Sequence, residues 1–286
     1  MQNPTPEFAR QMANAISAWI SIRHHFRGPT YNIATACASG AFAVAAARDY
    51  IATGRGDVAL AVGVDMMLSP ESIFGFSQLQ ALSTRNDAPQ KASRPFDKNR
   101  DGFVLANGGA ALLLEDEAAA RQRGARIYAC VDGVGICSEA YNIVAPEPTG
   151  VGMAKCMELA CADAGCPLPD IGYISAHGTS THHNDAAETG AIKLLFGDHA
   201  RRLAVSSQKS MTGHTIGGAG AIEAAATVLS IFHGVLTPTI NQETADPECD
   251  LDYVPNVARE VPALRAALSN SFGFGGHNCS LLIRKV

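Results

Sequence analysis

The sequence predicts a layered α/β protein in which helices cover mostly parallel sheets. Short apolar runs alternate with amphipathic or alanine-rich stretches along the 286 residues. The order strand, helix, strand, helix, paired strands runs from Tyr128 to the end. Such alternation is typical of layered α/β domains. The first half shows only the later part of this order, so the sequence also predicts a twofold repeat whose first part is missing.

The first half opens with a predicted helix over residues 6–26, where apolar residues recur at helical spacing until Gly28-Pro29. From Tyr31 we predict a short buried strand that leads to a lone cysteine, Cys37, and then a helix over Gly40–Ile51. The other elements of this half are a strand at Val58–Asp65 covered on both faces, a helix from Ser69 to about Leu82, a long loop over 83–101, two strands within Gly102–Leu114 with a bend at Gly108-Gly109, and a helix at Glu115–Arg123.

The second half completes the alternation, and no linker or low-complexity segment precedes it. Its predicted strands are Ile127–Ile136, Ile171–Ala176, Leu203–Ser206, Ala267–Phe272 and Asn278–Ile283. Its predicted helices are Val151–Ala164, Asp185–Phe196 and Gly217–Phe232.

Composition narrows the class of protein. Hydrophobic residues make up 47% and charged residues 17%, which is typical of a globular chain. The net charge is −5 without a basic run, so we expect neither nucleic acid nor an anionic membrane as a partner. No apolar run approaches the roughly 20 residues that a membrane helix needs, and no secretory signal is visible at the start. The sequence therefore predicts a cytoplasmic protein.

Eight cysteines are scattered along the chain without a CxxC pair. This spacing does not favour structural zinc, and disulfides are not expected in a reducing cytosol. The adjacent histidines at 24–25 and 182–183 have no His or carboxylate at i+4, so no metal site is expected there either. Apart from Cys37, we expect the cysteines to be packed as small apolar groups.

Cys37 lies where the predicted strand turns into the helix. A thiol at a helix N-terminus feels the positive end of the helix dipole, which favours the thiolate. Free backbone N–H groups at such an end can also hold an oxyanion. The alternative is a buried core cysteine.

Three further stretches carry reactive side chains beside apolar runs. In ISAHGTSTHHND (174–185), His177 ends a strand, and the hydroxyls of Thr179 and Thr181 alternate so that both can face one ligand. The stretch SSQKSMTGHTIGGAGAIE (206–223) holds Lys209 and His214 in a polar turn. The third stretch, SNSFGFGGHN (269–278), has glycines that allow close backbone approach.

These residue types have a common chemical use, although each has a structural alternative when taken alone. A cysteine nucleophile next to neutral imidazoles suits acyl transfer from thioesters. Two histidine N–H donors directed at one carbonyl suit stabilisation of an enolate.

Seven motifs together resemble one family over nearly the whole chain. They are ATACASG, RPFDKNRDGF, HGTSTHHND, KSMTGH, PTIN, CDLDYVPN and NSFGFGGHN. The chain resembles the β-ketoacyl-[acyl-carrier-protein] synthases of the elongating type, as in type II fatty acid synthesis. Thiolases use a second cysteine as base, and the initiating, coenzyme A-using synthases pair Cys with His and Asn. In this chain the third position is His214, in KSMTGH, which resembles the pattern of the elongating class.

The resemblance implies a thiolase-like fold with the layer order α-β-α-β-α and two pseudo-repeated halves. Residues 1–125 would be the C-terminal part of the N-terminal half, which holds the nucleophile, and residues 126–286 would be the C-terminal half with the histidines. Family members are longer before the nucleophile. We therefore expect that the chain is truncated, or that a partner covers the surface left bare.

The resemblance also implies an activity, the decarboxylative condensation of an acyl group on Cys37 with malonyl-acyl carrier protein. His177 and His214 would bind the malonyl thioester carbonyl. The backbone N–H groups of Cys37 and Phe274 would form the oxyanion hole. Lys209, paired with Glu223, would orient the site.

Substrate contacts and partners follow from the same resemblance. The substrate-binding residues would be Thr179, Thr181, Phe272, Phe274 and Asn278, with Phe274 gating the acyl pocket. No cofactor or metal is implied, because the substrates arrive on the phosphopantetheine of an acyl carrier protein. We expect that protein as a partner. We also expect the chain to form a homodimer, or a heterodimer with a ketosynthase-like subunit.

The chain departs from the family pattern at five positions that bear on substrate choice: Asn107, Glu139, Asn142, Val144 and His277. Two alternative functions stay open at this point. One is a non-catalytic or partner-dependent subunit of a ketosynthase complex. The other is a malonyl decarboxylase or simple acyltransferase that uses the same residues.

Overall fold

The computed structural model describes Ala9 and residues 12–286, in two compact units that divide after Ala34. The first unit contains helix α1 (Ala15–His24). The predicted helix over 6–26 is thus present in its later part, and most of its first turns lie outside the described residues.

The predicted strand before Cys37 is wrong. Residues 31–35 form no strand with any described element, and Tyr31 is 60% exposed. The backbone N–H of Thr35 instead donates to Ser39 Oγ at 2.9 Å. A side chain of the following helix thus takes a donor that a sheet partner would need.

The second unit alternates helices and strands. Its helices are α2 (Ser39–Ala52), α3 (Pro70–Gln78), α4 (Glu117–Gln122), α5 (Val151–Asp163), α6 (His182–Phe196), α7 (Lys209–Thr212) and α8 (Ala219–His233). Its strands are β1 (Val58–Met66), β2 (Asn107–Glu115), β3 (Cys130–Ser138), β4 (Ile171–Ser175), β5 (Ala204–Ser206), β6 (Val235–Leu236), β7 (Arg259–Glu260), β8 (Ala266–Gly273) and β9 (His277–Arg284).

The central sheet has the strand order β3-β9-β8-β4-β5. Only β8, β4 and β5 run parallel, whereas β3, β9 and β8 pair antiparallel. The prediction of mostly parallel sheets is therefore wrong. The physical reason is the short turn Phe274–Gly276, which joins β8 directly to β9 and so makes them antiparallel neighbours.

The glycine pair at 108–109 does not bend the chain as predicted. Strand β2 runs through it and pairs antiparallel with β1 along its whole length. A Cβ on Gly109 would lie 2.6 Å from the carbonyl oxygen of Gly63. These glycines therefore permit close contact between strands, a use that the sequence pattern alone does not separate from a bend.

Strand β1 is covered on one face only. Ala61 and Gly63 are buried, whereas Val58, Leu60 and Val64 are exposed. Helices α2 and α8 pack on the buried face, and nothing among residues 35–286 covers the other. The expectation of a strand covered on both faces is thus not met within this unit.

The layered α/β fold itself is confirmed. Alternate residues of the central sheet enter two cores: Ile174 and Leu268 pack with α5 and α6, while Tyr173 and Ala267 pack with α2 and α8. Within residues 35–286 the order α5/α6, central sheet, α2/α8, β1/β2 gives four of the five layers of the expected α-β-α-β-α order. One segment, Ile216–His233, is long and apolar enough to span a membrane, but 56% of it is buried within the fold, as in a core helix.

Candidate active site

Cys37 lies in a tight turn ahead of helix α2. The 3₁₀ turn Ala36–Ala38 leads directly into that helix, and Ala36 has a φ of 48°. A non-glycine residue in this region is uncommon and is held there by its surroundings. Ser39 supplies part of that support, because its hydroxyl donates to the carbonyl of Ala36 at 2.8 Å. The turn places the thiol at the start of α2, as predicted.

The thiol is protonated at neutral pH in the free protein. Burial raises the pKa of Cys37 to about 11, although the charge of Lys209 and the backbone N–H groups of Phe274 and Cys37 lower it. The expected thiolate is therefore not the resting form, because desolvation outweighs the helix end. The two backbone N–H groups that lower this pKa are those predicted as oxyanion donors.

His177 follows β4 and is held on both sides. Its carbonyl oxygen accepts a hydrogen bond from Lys209 Nζ at 2.6 Å, and its Nδ1 lies 3.3 Å from the same ammonium group. An ammonium group can only donate, so Nδ1 accepts and the ring proton is on Nε2. Burial, then the charge of Lys209, holds the pKa of His177 well below its ordinary value. The ring is therefore neutral.

Lys209 is fully buried at the start of α7, and Glu223 on α8 forms an ion pair with it. With the two contacts to His177, the three donors of the ammonium group are used. Burial raises the pKa of Glu223 to about 7, against the opposing effect of Lys209. The predicted pairing of Lys209 with Glu223 is present.

His214 offers one free nitrogen to the site. The backbone N–H of Ile216 donates to its Nδ1 at 3.2 Å, which puts the ring proton on Nε2. Nε2 is buried and has no hydrogen-bond partner. Burial and then Lys209 hold the pKa of His214 well below its ordinary value, so this ring is neutral too.

The three side chains converge. One ligand atom from each of Cys37, His177 and His214 lies within 4.8 Å of the other two, and the two imidazole rings are nearly perpendicular at 82°. Sulfur and imidazole are also zinc ligands. The ammonium of Lys209, which contacts His177, repels a metal cation, so the arrangement suits an anion better.

Apolar side chains close one side of the thiol. Phe103, Leu105 and Ile216 are buried with Cys37, and Phe76 and Leu82 pack against them. The ring of Phe274 lies 6.3 Å from that of Phe76. On this side the thiol therefore has apolar surroundings.

The remaining predicted substrate residues lie around this centre. Thr179 Oγ1 is 2.9 Å from Thr181 Oγ1, so the two hydroxyls share a face as expected. Phe272 is buried 6.1 Å from the ring of His177. Asn278, which pairs with Phe272 across the strands, donates its Nδ2 to Glu139 Oε1 at 3.1 Å.

Two important residues are absent from the sequence prediction. Glu188 on α6 accepts the backbone N–H groups of His177 and Gly178, both at 2.9 Å, and Asn270 donates to the same carboxylate at 3.2 Å. Burial raises the pKa of Glu188 to about 7. A signal existed in the helix periodicity, since Glu188 lies three residues after Asp185 and both are on the buried face.

Three of the residues that depart from the family pattern, Asn107, Glu139 and Asn142, accept hydrogen bonds. Asn142 Oδ1 accepts the N–H of Val144 at 2.8 Å, and Asn107 Oδ1 accepts that of Leu68 at 2.8 Å. Glu139 accepts from Asn278, and its own N–H donates to the carbonyl of Gly276 at 3.1 Å, in the Phe274–Gly276 turn. His277 is exposed.

Comparisons with known proteins give matches to one family. Residues 2–120 match the model of the β-ketoacyl synthase N-terminal domain, and residues 128–243 match that of the C-terminal domain. The chain is 47% identical over 273 residues to a 3-oxoacyl-[acyl-carrier-protein] synthase 2 of Coxiella burnetii, and 45% identical over 276 residues to one of Vibrio cholerae. Each match covers 96% of this chain and 66% or 67% of the relative, so the chain spans about two thirds of their length.

Solved structures of ketosynthases also match the fold of this chain. A β-ketoacyl synthase from Burkholderia phymatum matches with a TM-score of 0.93 at 38% identity, over all of this chain and 69% of its own. A type II polyketide ketosynthase, solved with its acyl-carrier protein and a bound hexaketide, gives a TM-score of 0.95 at 38% identity, over 99% of this chain and 71% of its own. A Xenorhabdus doucetiae ketosynthase in complex with its chain length factor gives a TM-score of 0.86 at 31% identity, over 99% of this chain and 66% of its own.

Proposed function

The chain belongs to the β-ketoacyl synthase family, and on that premise we propose that it catalyses a decarboxylative Claisen condensation. An acyl group held on Cys37 is joined to malonyl-acyl carrier protein, which gives β-ketoacyl-acyl carrier protein in fatty acid or polyketide chain elongation. The observation that carries this proposal is the convergence of the Cys37 thiol with two neutral imidazoles, one of which presents a buried, unpartnered Nε2.

The first step is acyl transfer to Cys37. The sulfur attacks the thioester carbonyl of the incoming acyl carrier protein, and the oxyanion is held by the N–H groups of Cys37 and Phe274. Collapse breaks the bond to the pantetheine sulfur. The proton of the Cys37 thiol leaves with that sulfur, so the step is balanced without an additional base. The acyl chain then lies among Phe103, Leu105 and Phe76.

The second step forms the carbon–carbon bond. The malonyl thioester oxygen accepts hydrogen bonds from Nε2–H of His177 and His214, and loss of CO₂ leaves an enolate stabilised by these donors. The enolate carbon attacks the Cys37 thioester, again with the oxyanion on the N–H groups of Cys37 and Phe274. Collapse expels the Cys37 sulfur as a thiolate, which takes up one proton from water, so the condensation consumes one proton overall. The expelled CO₂ supplies the driving force, and no cofactor is used.

Lys209 and Glu223 are proposed to orient this centre. Lys209 keeps the Nδ1 of His177 as an acceptor and lowers the pKa of Cys37, while Glu223 neutralises the lysine in the interior. Thr179 and Thr181 are proposed to bind the pantetheine arm, and Phe272, Phe274 and Asn278 to shape the acyl entrance. In this proposal residues 1–125 carry the nucleophile and residues 126–286 the histidines.

We propose an acyl carrier protein and a second ketosynthase-type subunit as partners of a cytoplasmic enzyme. The related ketosynthases solved with an acyl-carrier protein or a chain length factor support this proposal. So do the apolar side chains exposed along β1 and α3, which include Leu60, Met66 and Phe74, because exposed apolar patches mark interaction sites. Light scattering after gel filtration measures whether the chain self-associates.

The test uses acyl carrier protein loaded with a radiolabelled acyl group. We expect label to transfer to the full chain, and Cys37→Ala to abolish the transfer, whereas Cys130→Ala, on the partly exposed Cys130, is the matched control and retains it. Addition of malonyl-acyl carrier protein is then expected to give a β-ketoacyl product by mass spectrometry. A folded sample that accepts no label contradicts the proposal, and an acetyl thioester as the only product indicates a malonyl decarboxylase.

A further inference from the structure

The tautomer of His214 depends on one strained backbone position. Ile216 supplies the N–H that donates to Nδ1 of His214 at 3.2 Å, and its φ is 48°. A β-branched residue in the left-handed region is a genuine outlier. Such a conformation persists only where neighbouring contacts hold it. The turn must therefore be anchored from outside.

The anchor is a carboxylate on strand β1. Asp65 Oδ2 accepts the backbone N–H of Gly217 at 3.0 Å, and Oδ1 accepts the N–H of Met66 at 2.9 Å. The second contact fixes the carboxylate to its own strand, so the first ties the turn to that strand. Since Gly217 directly follows Ile216, this hydrogen bond restrains the peptide that joins them.

Close packing leaves the turn little room to relax. A Cβ on Gly217 would lie 2.9 Å from Asp65 Oδ2, and one on Gly218 would lie 2.6 Å from the carbonyl oxygen of Gly108 on β2. The backbone of His214 is also fixed, because its N–H donates to Val104 at 2.7 Å. The turn is also closed from within, because the Gly218 N–H donates to the Thr215 carbonyl at 3.0 Å, and the Asp65 contact ties it to strand β1.

We propose that Asp65 is a positioning residue for His214, because its carboxylate anchors the Ile216-Gly217 turn and thereby keeps the imidazole proton on Nε2. Loss of the anchor lets Ile216 leave the left-handed region and withdraws the donor from Nδ1. The neutral ring then samples both tautomers, and Nε2 presents a lone pair instead of a proton for part of the time. The inference rests on the proposed role of His214 as an N–H donor.

The test reads the tautomer directly. In the full chain labelled with ¹⁵N-histidine, the two nitrogens of His214 are assigned by comparison with His214→Gln. At neutral pH we expect a protonated Nε2 and an unprotonated Nδ1 in the wild type, and values averaged between the two tautomers in Asp65→Ala. Decarboxylation of malonyl-acyl carrier protein is expected to fall about tenfold in kcat, with KM unchanged, since a small misplacement of a catalytic group is costly.

Two further variants make the result decisive. Gly217→Ala leaves the Asp65 carboxylate intact but crowds its contact with the Gly217 N–H. It is therefore expected to give His214 signals averaged between the two tautomers, as Asp65→Ala does. If Asp65→Ala does not fold, Gly217→Ala alone tests the inference. Asp116→Ala is the matched control, because Asp116 accepts the N–H of Ala119 at 3.0 Å at the start of α4. Wild-type His214 signals in both Asp65→Ala and Gly217→Ala overturn the inference. If the wild type itself decarboxylates nothing, the proposed function fails, while the spectra still decide the role of Asp65.

Discussion

Glu188 accepts the backbone N–H of His177 at 2.9 Å, and so an acid inside helix α6 holds the strand end that carries a site histidine. Its other oxygen accepts the N–H of Gly178 at the same distance. Two consecutive backbone donors would otherwise be buried without partners. The carboxylate thus fixes the local backbone without contacting the reacting atoms.

Glu188→Ala is expected to destabilise the protein more at pH 5 than at pH 8. Burial raises the folded-state pKa of Glu188 to about 7, above its unfolded value, so the wild type loses stability as pH rises from about 4.3 to 7. The variant has no carboxyl group at this position, so its stability does not fall with pH for this reason. Removal of the acceptor leaves two buried N–H groups unpaired, at about 1–3 kcal/mol each.

Urea unfolding at the two pH values measures this difference. Glu158→Ala is the control, since Glu158 is exposed and pairs only with Lys155 at the surface. A destabilisation by Glu188→Ala that grows from pH 5 to pH 8 would contradict the assigned direction of the pKa.

Two glycines are expected to respond oppositely to alanine. A Cβ on Gly135 in β3 would lie 1.9 Å from the carbonyl oxygen of Cys156, so Gly135→Ala must push α5 away from the sheet, at a cost of about 2 kcal/mol or more. Gly190 lies within α6, is exposed, and has nothing within 4 Å of the corresponding Cβ. Gly190→Ala should therefore stabilise by about 0.5–1 kcal/mol. Thermal unfolding of both variants compares them, and equal shifts would refute the packing argument.

The elements were predictable because the hydrophobic period is a local property. Helix α5 and strand β4 lie within a residue or two of their expected bounds, and Ser69 caps α3 as its position suggests. The partner of a strand is not a local property. The antiparallel pairing of β8 with β9 and the one-sided burial of β1 depend on which elements come together in space.

The site residues also divide into those marked by a local sequence pattern and those that depend on contacts distant in the sequence. Cys37, His177, Lys209 and His214 were found because each lies on a glycine-rich turn beside an apolar run. Glu188 is not on such a turn, and the helix face that it shares with Asp185 is a weaker signal, since an acid within a helix is usually solvated. The resting state of Cys37 was also missed, because the depth of burial that raises its pKa is set by side chains distant in the sequence.

Replacement of Lys209 or Glu223 is expected to move the reactivity of Cys37 in opposite directions. The charge of Lys209 lowers the pKa of the thiol and that of Glu223 raises it, with the lysine the stronger of the two. Lys209→Met should therefore slow alkylation by iodoacetamide, and Glu223→Gln should modestly speed it. Each pKa unit changes the thiolate fraction about tenfold below the pKa.

Peptide mapping after timed alkylation at one alkaline pH gives the rate for each cysteine. Cys130, partly exposed, is the internal reference, and its rate should not change. Parallel changes in both variants would show that the ion pair acts only by holding the structure.

Replacement of either histidine by leucine, which has no polar hydrogen, is expected to separate the two steps of the proposed reaction. In that reaction acyl transfer to Cys37 uses the N–H groups of Cys37 and Phe274, so His177→Leu and His214→Leu should still accept a radiolabelled acyl group. Decarboxylation of malonyl-acyl carrier protein loses a donor to the developing enolate and should fall about 10²–10³-fold.

The wild-type decarboxylation rate is also expected to show no histidine inflection between pH 6 and 8. Burial and Lys209 hold the pKa values of His177 and His214 well below the ordinary value, so both rings stay neutral across that range. Each then keeps one N–H donor, because Lys209 and Ile216 occupy the Nδ1 atoms. A rate that falls as pH rises through a pKa near 6.5, the ordinary value for histidine, would mean that at least one imidazole works in its charged form, and the donor assignment would have to be abandoned.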